Sequence, residues 1–152
     1  MKALRCAIAA SALAFAVPAQ AAVGDPEVLI YRISGVIDNN TGFATIFWCT
    51  NFSGVPETVR VVVRGPTSTQ LANNAVTVNH LNTAALATRD VNLFTGETIM
   101  NTGVIDPGGT AAIAATSVNV TCTAAQIQHF TTGPISLHLH PTRFNPIPST
   151  QE

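Results

Sequence analysis

The chain is 152 residues long and only 10% of them are charged, seven Lys or Arg against eight Asp or Glu, for a formal net charge of −1. So little charge, with no basic excess, argues against nucleic acid or an anionic membrane surface as partner, because both select positively charged faces. The length suits one domain with a core of its own and is short for two.

Residues 1–21 have the layout of a cleaved signal peptide. Lys2 and Arg5 form a positive start, residues 7–17 are almost wholly apolar, and Pro18-Ala19-Gln20-Ala21 ends in an Ala-x-Ala pattern. The apolar run falls short of the roughly 20 residues a spanning helix needs. Removal after Ala21 is therefore expected, and Cys6 leaves with the leader. No later segment is apolar enough to span a bilayer. The chain beyond Ala21 contains no lysine, and its five arginines (Arg32, Arg60, Arg64, Arg89, Arg143) face eight carboxylates, a net charge of about −3. The expected location is the periplasm or the outside of a bacterial cell.

Beyond the leader the hydrophobic period is two far more often than 3.6. Residues 27–37 open on the apolar run Val28-Leu29-Ile30-Tyr31 and end at the turn cluster Asp38-Asn39-Asn40-Thr41-Gly42. Residues 43–51 put Phe43, Phe47 and Cys49 on one face and Ile46 and Trp48 on the other, so a central or fully covered strand is predicted. Residues 57–65 alternate Val59, Val61 and Val63 with Arg60 and Arg64, the pattern of a half-buried strand that Gly65-Pro66 ends. A short strand is predicted at 75–80. Across 81–94 strand and loop are favoured over a helical turn at Ala84-Ala85-Leu86-Ala87. Residues 98–104 read as a strand broken at Gly103, and Asp106-Pro107-Gly108-Gly109 reads as a turn. Strands are then predicted at 110–116, at 117–126 with Val118, Val120 and Cys122 on one face, and at 135–140. Pro141, Pro146 and Pro148 make 143–152 an extended tail after a domain spanning 22–142.

Seven to nine short strands separated by turn signals predict an all-β, two-sheet sandwich. In an oxidising compartment Cys49 and Cys122 bridge by default, and the two allow only one intramolecular pairing. A redox pair would instead be Cys-x-x-Cys at a helix start. The bridge is expected to join the two sheets. In this, and in the stretches Cys49-Thr50-Asn51-Phe52-Ser53-Gly54 and Val104-Ile105-Asp106-Pro107-Gly108-Gly109-Thr110, the chain resembles exported bacterial proteins of the immunoglobulin-like β-sandwich type over about residues 27–140. It departs from the antibody pattern at Trp48, which precedes the first cysteine, and at Tyr31, which is too far from Cys122 for a tyrosine corner.

Chemistry-bearing residues are few. His138 and His140, two apart on a strand, share a face at about 7 Å between Cα atoms and could share one divalent ion; the alternative is a polar face opposite Leu137 and Leu139. His80 ends a strand, and His129 follows Cys122 at a spacing faintly like a copper ligand loop, though without the axial Met. Ser53 lacks a nucleophile elbow. Asp38, Asp90, Asp106 and Glu97 are scattered in turn-like contexts, and Asn39, Asn51 and Asn119 begin glycosylation-type triplets to which no role is given. No catalytic set and no cofactor is predicted. The expectation is a non-enzymatic exported module acting through its surface on a protein or glycan partner, with strand-edge self-association as one route. The alternative is a periplasmic metal-binding accessory protein using His138 and His140.

Overall fold

A computed structural model describes residues 26–40, 42–91, 95–128 and 136–143. The expected leader, His129 and the tail from residue 144 lie outside the described residues. The described chain is all β, with ten strands: β1 (Val28–Asp38), β2 (Phe43–Asn51), β3 (Glu57–Arg64), β4 (Gln70–Val78), β5 (Thr83–Ala87), β6 (Thr98–Ile99), β7 (Ile105–Ala115), β8 (Val120–Gln128), β9 (Ser136–Leu139) and β10 (Thr142–Arg143). They form one near-closed sheet of two blocks. In the first block the order is β4-β3-β7-β1 with β10 on the outer edge of β1, and in the second it is β9-β8-β2-β5-β6. A single residue pair, Asp38 with Ala44, carries the ladder from one block to the other. All pairings are antiparallel except β5 with β6.

The alternation read in the sequence explains how the blocks close on each other. Val59, Val61 and Val63 of β3, Ile113 and Ala115 of β7, and Ile33 and Val36 of β1 point inward and are buried with Phe47 and Cys49 of β2 and Val120, Cys122 and Ala124 of β8. Both faces of β2 are covered, as predicted. Its other parity, Ala44 and Ile46, is buried in a second cluster with Ala87, Val91 and Ile127, against which Trp48 packs.

Several expectations need correction. Cys49 and Cys122 are bonded, but not across two sheets. They lie directly opposite each other on the neighbouring strands β2 and β8, with Cα atoms 4.2 Å apart. Strand parity correctly put both on the inner face. However, lateral neighbours about 5 Å apart and facing sheets about 10 Å apart leave the same parity signature. The bridge still closes a loop with a sequence separation of 73 residues, worth roughly 4 kcal/mol by chain entropy.

Asp106-Pro107-Gly108-Gly109 is not a turn between strands. It lies within β7 as a bulge, where Val36 pairs with Gly109 and Asp38 with Ile105, leaving Asp106, Pro107 and Gly108 opposite the single residue Ile37. Proline and glycine mark irregular backbone in either context. The close approach explains Gly109: a Cβ there would clash with the Arg64 carbonyl oxygen and lie 2.9 Å from Ile105 Cγ2.

Other boundaries moved. Strand β4 begins at Gln70, five residues earlier than predicted, and β6 is only two residues long. Strand β8 begins at Val120, leaving Val118 exposed in the preceding turn. Thr142 and Arg143 pair with Arg32 and Tyr31 as the short strand β10. Arg143 holds this strand down by donating from Nη2 to the Val118 carbonyl (2.7 Å) while its guanidinium lies over the Tyr31 ring. No helix among the described residues is long and apolar enough to cross a membrane.

Candidate functional site

The corner where the ladder passes between blocks is the most polar part of the interior. Three buried threonines from separate segments build it. The Thr45 hydroxyl accepts from the Ile37 N–H (2.9 Å) and donates to the Ile37 carbonyl (3.1 Å). The Thr88 hydroxyl accepts from the Thr45 N–H (3.0 Å), and the Thr88 N–H donates to the Thr45 carbonyl (2.9 Å). The Thr102 N–H donates to the Thr88 carbonyl (3.0 Å). A threonine suits this work because one small, β-branched side chain both donates and accepts while fitting a strand.

This ladder fixes Asp38, which is only 3% exposed. Its Oδ1 accepts from the Asn40 N–H (3.0 Å), and Oδ2 lies 3.4 Å from the Thr102 hydroxyl. The adjoining turn is tied by Asn39, whose Oδ1 accepts from the N–H groups of Gly42 and Phe43. Above Asp38 opens a cleft of about 400 Å³, lined by Asp38, Asn40, Thr88, Arg89, Asp90 and Asn101 among others. Arg89 Nη1 stands 3.7 Å from Asp38 Oδ1, outside hydrogen-bond reach, and is buried with no hydrogen-bond partner among the described residues. Asn40 and Asn101 both adopt left-handed backbone (φ 61° and 50°), a conformation asparagine tolerates better than most residues. The cleft is thus lined by amide groups, carboxylates and the Arg89 guanidinium, whose buried Nη1 faces Asp38 as an ion pair without a hydrogen bond.

The sequence marked Asp38 and Asp90 only as scattered turn acids, and it singled out neither Arg89 nor the two asparagines. The one signal was Arg89-Asp90 itself, a charged pair in a chain that has few charges. The other acids do not join them. Asp106 is exposed in the β7 bulge, and Glu97 accepts from the Val91 N–H (3.1 Å). Ser53 is spent in its own turn, donating to the Val55 carbonyl (2.9 Å). Asn51 is fully buried and pins that turn by donating to the Val55 and Val78 carbonyls. One carboxylate is buried elsewhere: Glu57 accepts from the Thr116 hydroxyl at the far end of β3.

His138 pairs with Ala125 at the β9 edge, and both it and His140 are exposed. The His80 imidazole accepts from the Gly54 N–H (3.0 Å), at the turn following β2. Among the described residues no three His, Cys, Asp or Glu side chains gather closely enough to hold a metal ion. A second depression, about 450 Å³, runs along the outer face of β7, where the small residue Ala112 lies between Arg32 of β1 and Val62 and Arg64 of β3. One nitrogen of Arg64 already donates to the Ser68 carbonyl (3.1 Å). Similarly, Arg60 is bound by Glu27 through two hydrogen bonds (2.6 and 3.0 Å), which raise its pKa. Compared with known proteins, the chain matches no family model, no curated protein and no solved structure.

Proposed function

We propose that this chain is an exported, immunoglobulin-like β-sandwich module that acts without catalysis, recognising a partner through its surface in an interaction, adhesion or envelope-structural role. The leader-like start and the bridged cysteines support export to the periplasm or beyond, and the near-closed sheet around an apolar interior supports a rigid scaffold for recognition. The single observation that carries the reading is the cleft beside Asp38, which brings amide groups, carboxylates and the Arg89 guanidinium together from separate segments. Both signs of charge line the cleft, so a polar, uncharged group such as a glycan hydroxyl or a peptide amide fits it better than an ion.

The test is binding of the purified exported chain to glycan and peptide arrays, with Arg89→Ala and Asn101→Ala alongside. Binding should fall about tenfold or more in each variant, the loss expected when hydrogen bonds to a charged or amide group are removed, measured well below each variant's melting temperature, because Arg89→Ala leaves the buried Asp38 without its cation and Asn101→Ala strains left-handed backbone. Turnover of esters, glycans or peptides that disappears on Asp38→Asn would overturn the non-catalytic reading. A second reading rests on the shared exposure of His138 and His140, which leaves both imidazoles open to one divalent ion. Titration with Cu(II) and Zn(II) checks it: an affinity unchanged by His138→Ala removes it.

A further inference from the structure

The edges of the sheet differ in length. Among the described residues β6 and β10 are two residues long and β9 is four. Edges this short offer a foreign strand little to pair with. Strand β4 is nine residues long and, among the described residues, pairs only with β3. Its sequence, Gln70-Leu71-Ala72-Asn73-Asn74-Ala75-Val76-Thr77-Val78, contains no charged residue and no proline. The edge is blunted only at its start, where a register irregularity falls at Leu71; from Ala72 to Val78 the strand pairs with β3 in unbroken register. Its outer-face residues Asn73, Ala75 and Thr77 are exposed, whereas the inward Asn74 and Val76 are half-buried at the rim of the core. Every second residue of such a strand turns its N–H and C=O away from the sheet, and only another extended strand satisfies that row in full.

We propose that β4 pairs with β4 of a second copy of this chain, antiparallel and two-fold symmetric about Asn74, so that the sheets of two molecules run on as one. Three observations select a copy of itself over a foreign peptide. The strand's own residues are uncharged, and the Arg60 guanidinium that reaches Asn73 from β3 is already paired with Glu27, so two net-negative molecules meet here without unpaired like charges in contact. Asn74 meets its own equivalent, and an amide is both donor and acceptor. In this register Ala72 faces Val76 of the other molecule, twice, so small meets larger on the inward face and the half-buried Val76 gains cover. A C2 interface of this kind is self-complementary and closes at two molecules.

The same register places residue 73 of one copy opposite residue 75 of the other on the exposed outer face, which makes the proposal testable by charge. Sedimentation equilibrium of the exported chain should show a reversible monomer–dimer equilibrium. The double variant Asn73→Glu with Ala75→Glu sets carboxylate against carboxylate twice and should weaken dimerisation roughly tenfold or more. Asn73→Glu with Ala75→Lys carries as many substitutions but sets opposite charges together across the interface, and should dimerise clearly better than the Glu/Glu variant although Lys at 75 stands opposite Arg60 of its own chain. Both changes lie on exposed positions, and unchanged far-UV circular dichroism would report the fold intact. The proposal is overturned by a parent that stays monomeric at every concentration, by a Glu/Glu variant that dimerises like the parent, or by a Glu/Lys variant as weak as Glu/Glu.

Discussion

The middle strand of each block lives under a different rule. In the first block β7 and its neighbour β3 bury one face, with Val61, Val63 and Ile113 inward, and leave the other to Arg60, Val62, Arg64 and Thr110 at the surface. In the second block β2 buries both. Phe47 and Cys49 join the interior, while Ala44 and Ile46 lie under Val91 and Ile127 on the outside. The difference is written in the local pattern, since Val59, Val61 and Val63 alternate with Arg60 and Arg64, interrupted only by Val62, while Ile46-Phe47-Trp48 carries no polar residue. It also has an energetic meaning, because an outward residue of β2 is a core residue and an outward residue of β3 is not.

Substitutions at equivalent outward positions should expose that contrast. The largest effect is expected for Ile46→Ala, which opens a cavity in the outer cluster of a strand with no solvent face. It should cost about 3 kcal/mol, read as a lower urea midpoint. Gly109→Ala comes next. The added methyl meets the Arg64 carbonyl and Ile105, forcing β3 from β7 at the bulge, and overpacking of this kind should cost about 2 kcal/mol. The smallest is Val62→Thr on the outer face of β3, expected to stay within about 0.5 kcal/mol. A loss at Val62 equal to that at Ile46 would mean that the outer face of the first block is covered too, and would erase the distinction between the blocks.

Most of the fold was legible because it follows period two. The inward valines of β3, the doubly covered β2, and strand rather than helix at Thr83–Ala87 were all readable from which residues alternate. The misreadings share a cause. Asp106-Pro107-Gly108-Gly109 announces irregular backbone, and a bulge inside a strand uses the same residues as a turn between strands. Strand β4 was seen only from Ala75 onward because Gln70 to Asn74 carries little apolar signal, and its pairing with β3 makes it a strand. For the candidate site almost nothing was legible. Asp38, Arg89 and Asn101 belong to three segments, each unremarkable by itself, and a hydrogen-bonded threonine ladder at a corner brings them together.

The sequence by itself determined that the chain is built of strands and which face of each strand turns inward, Cys49 and Cys122 included. Tertiary structure alone decided which strands lie side by side. It made the Cys49–Cys122 bridge a link between neighbours instead of between layers, left β4 with one partner among the described residues, and set Arg89 beside Asp38. The physical reason is that side-chain alternation encodes a direction, inward or outward, whereas the backbone hydrogen bonds that choose a neighbour are chemically alike at every residue.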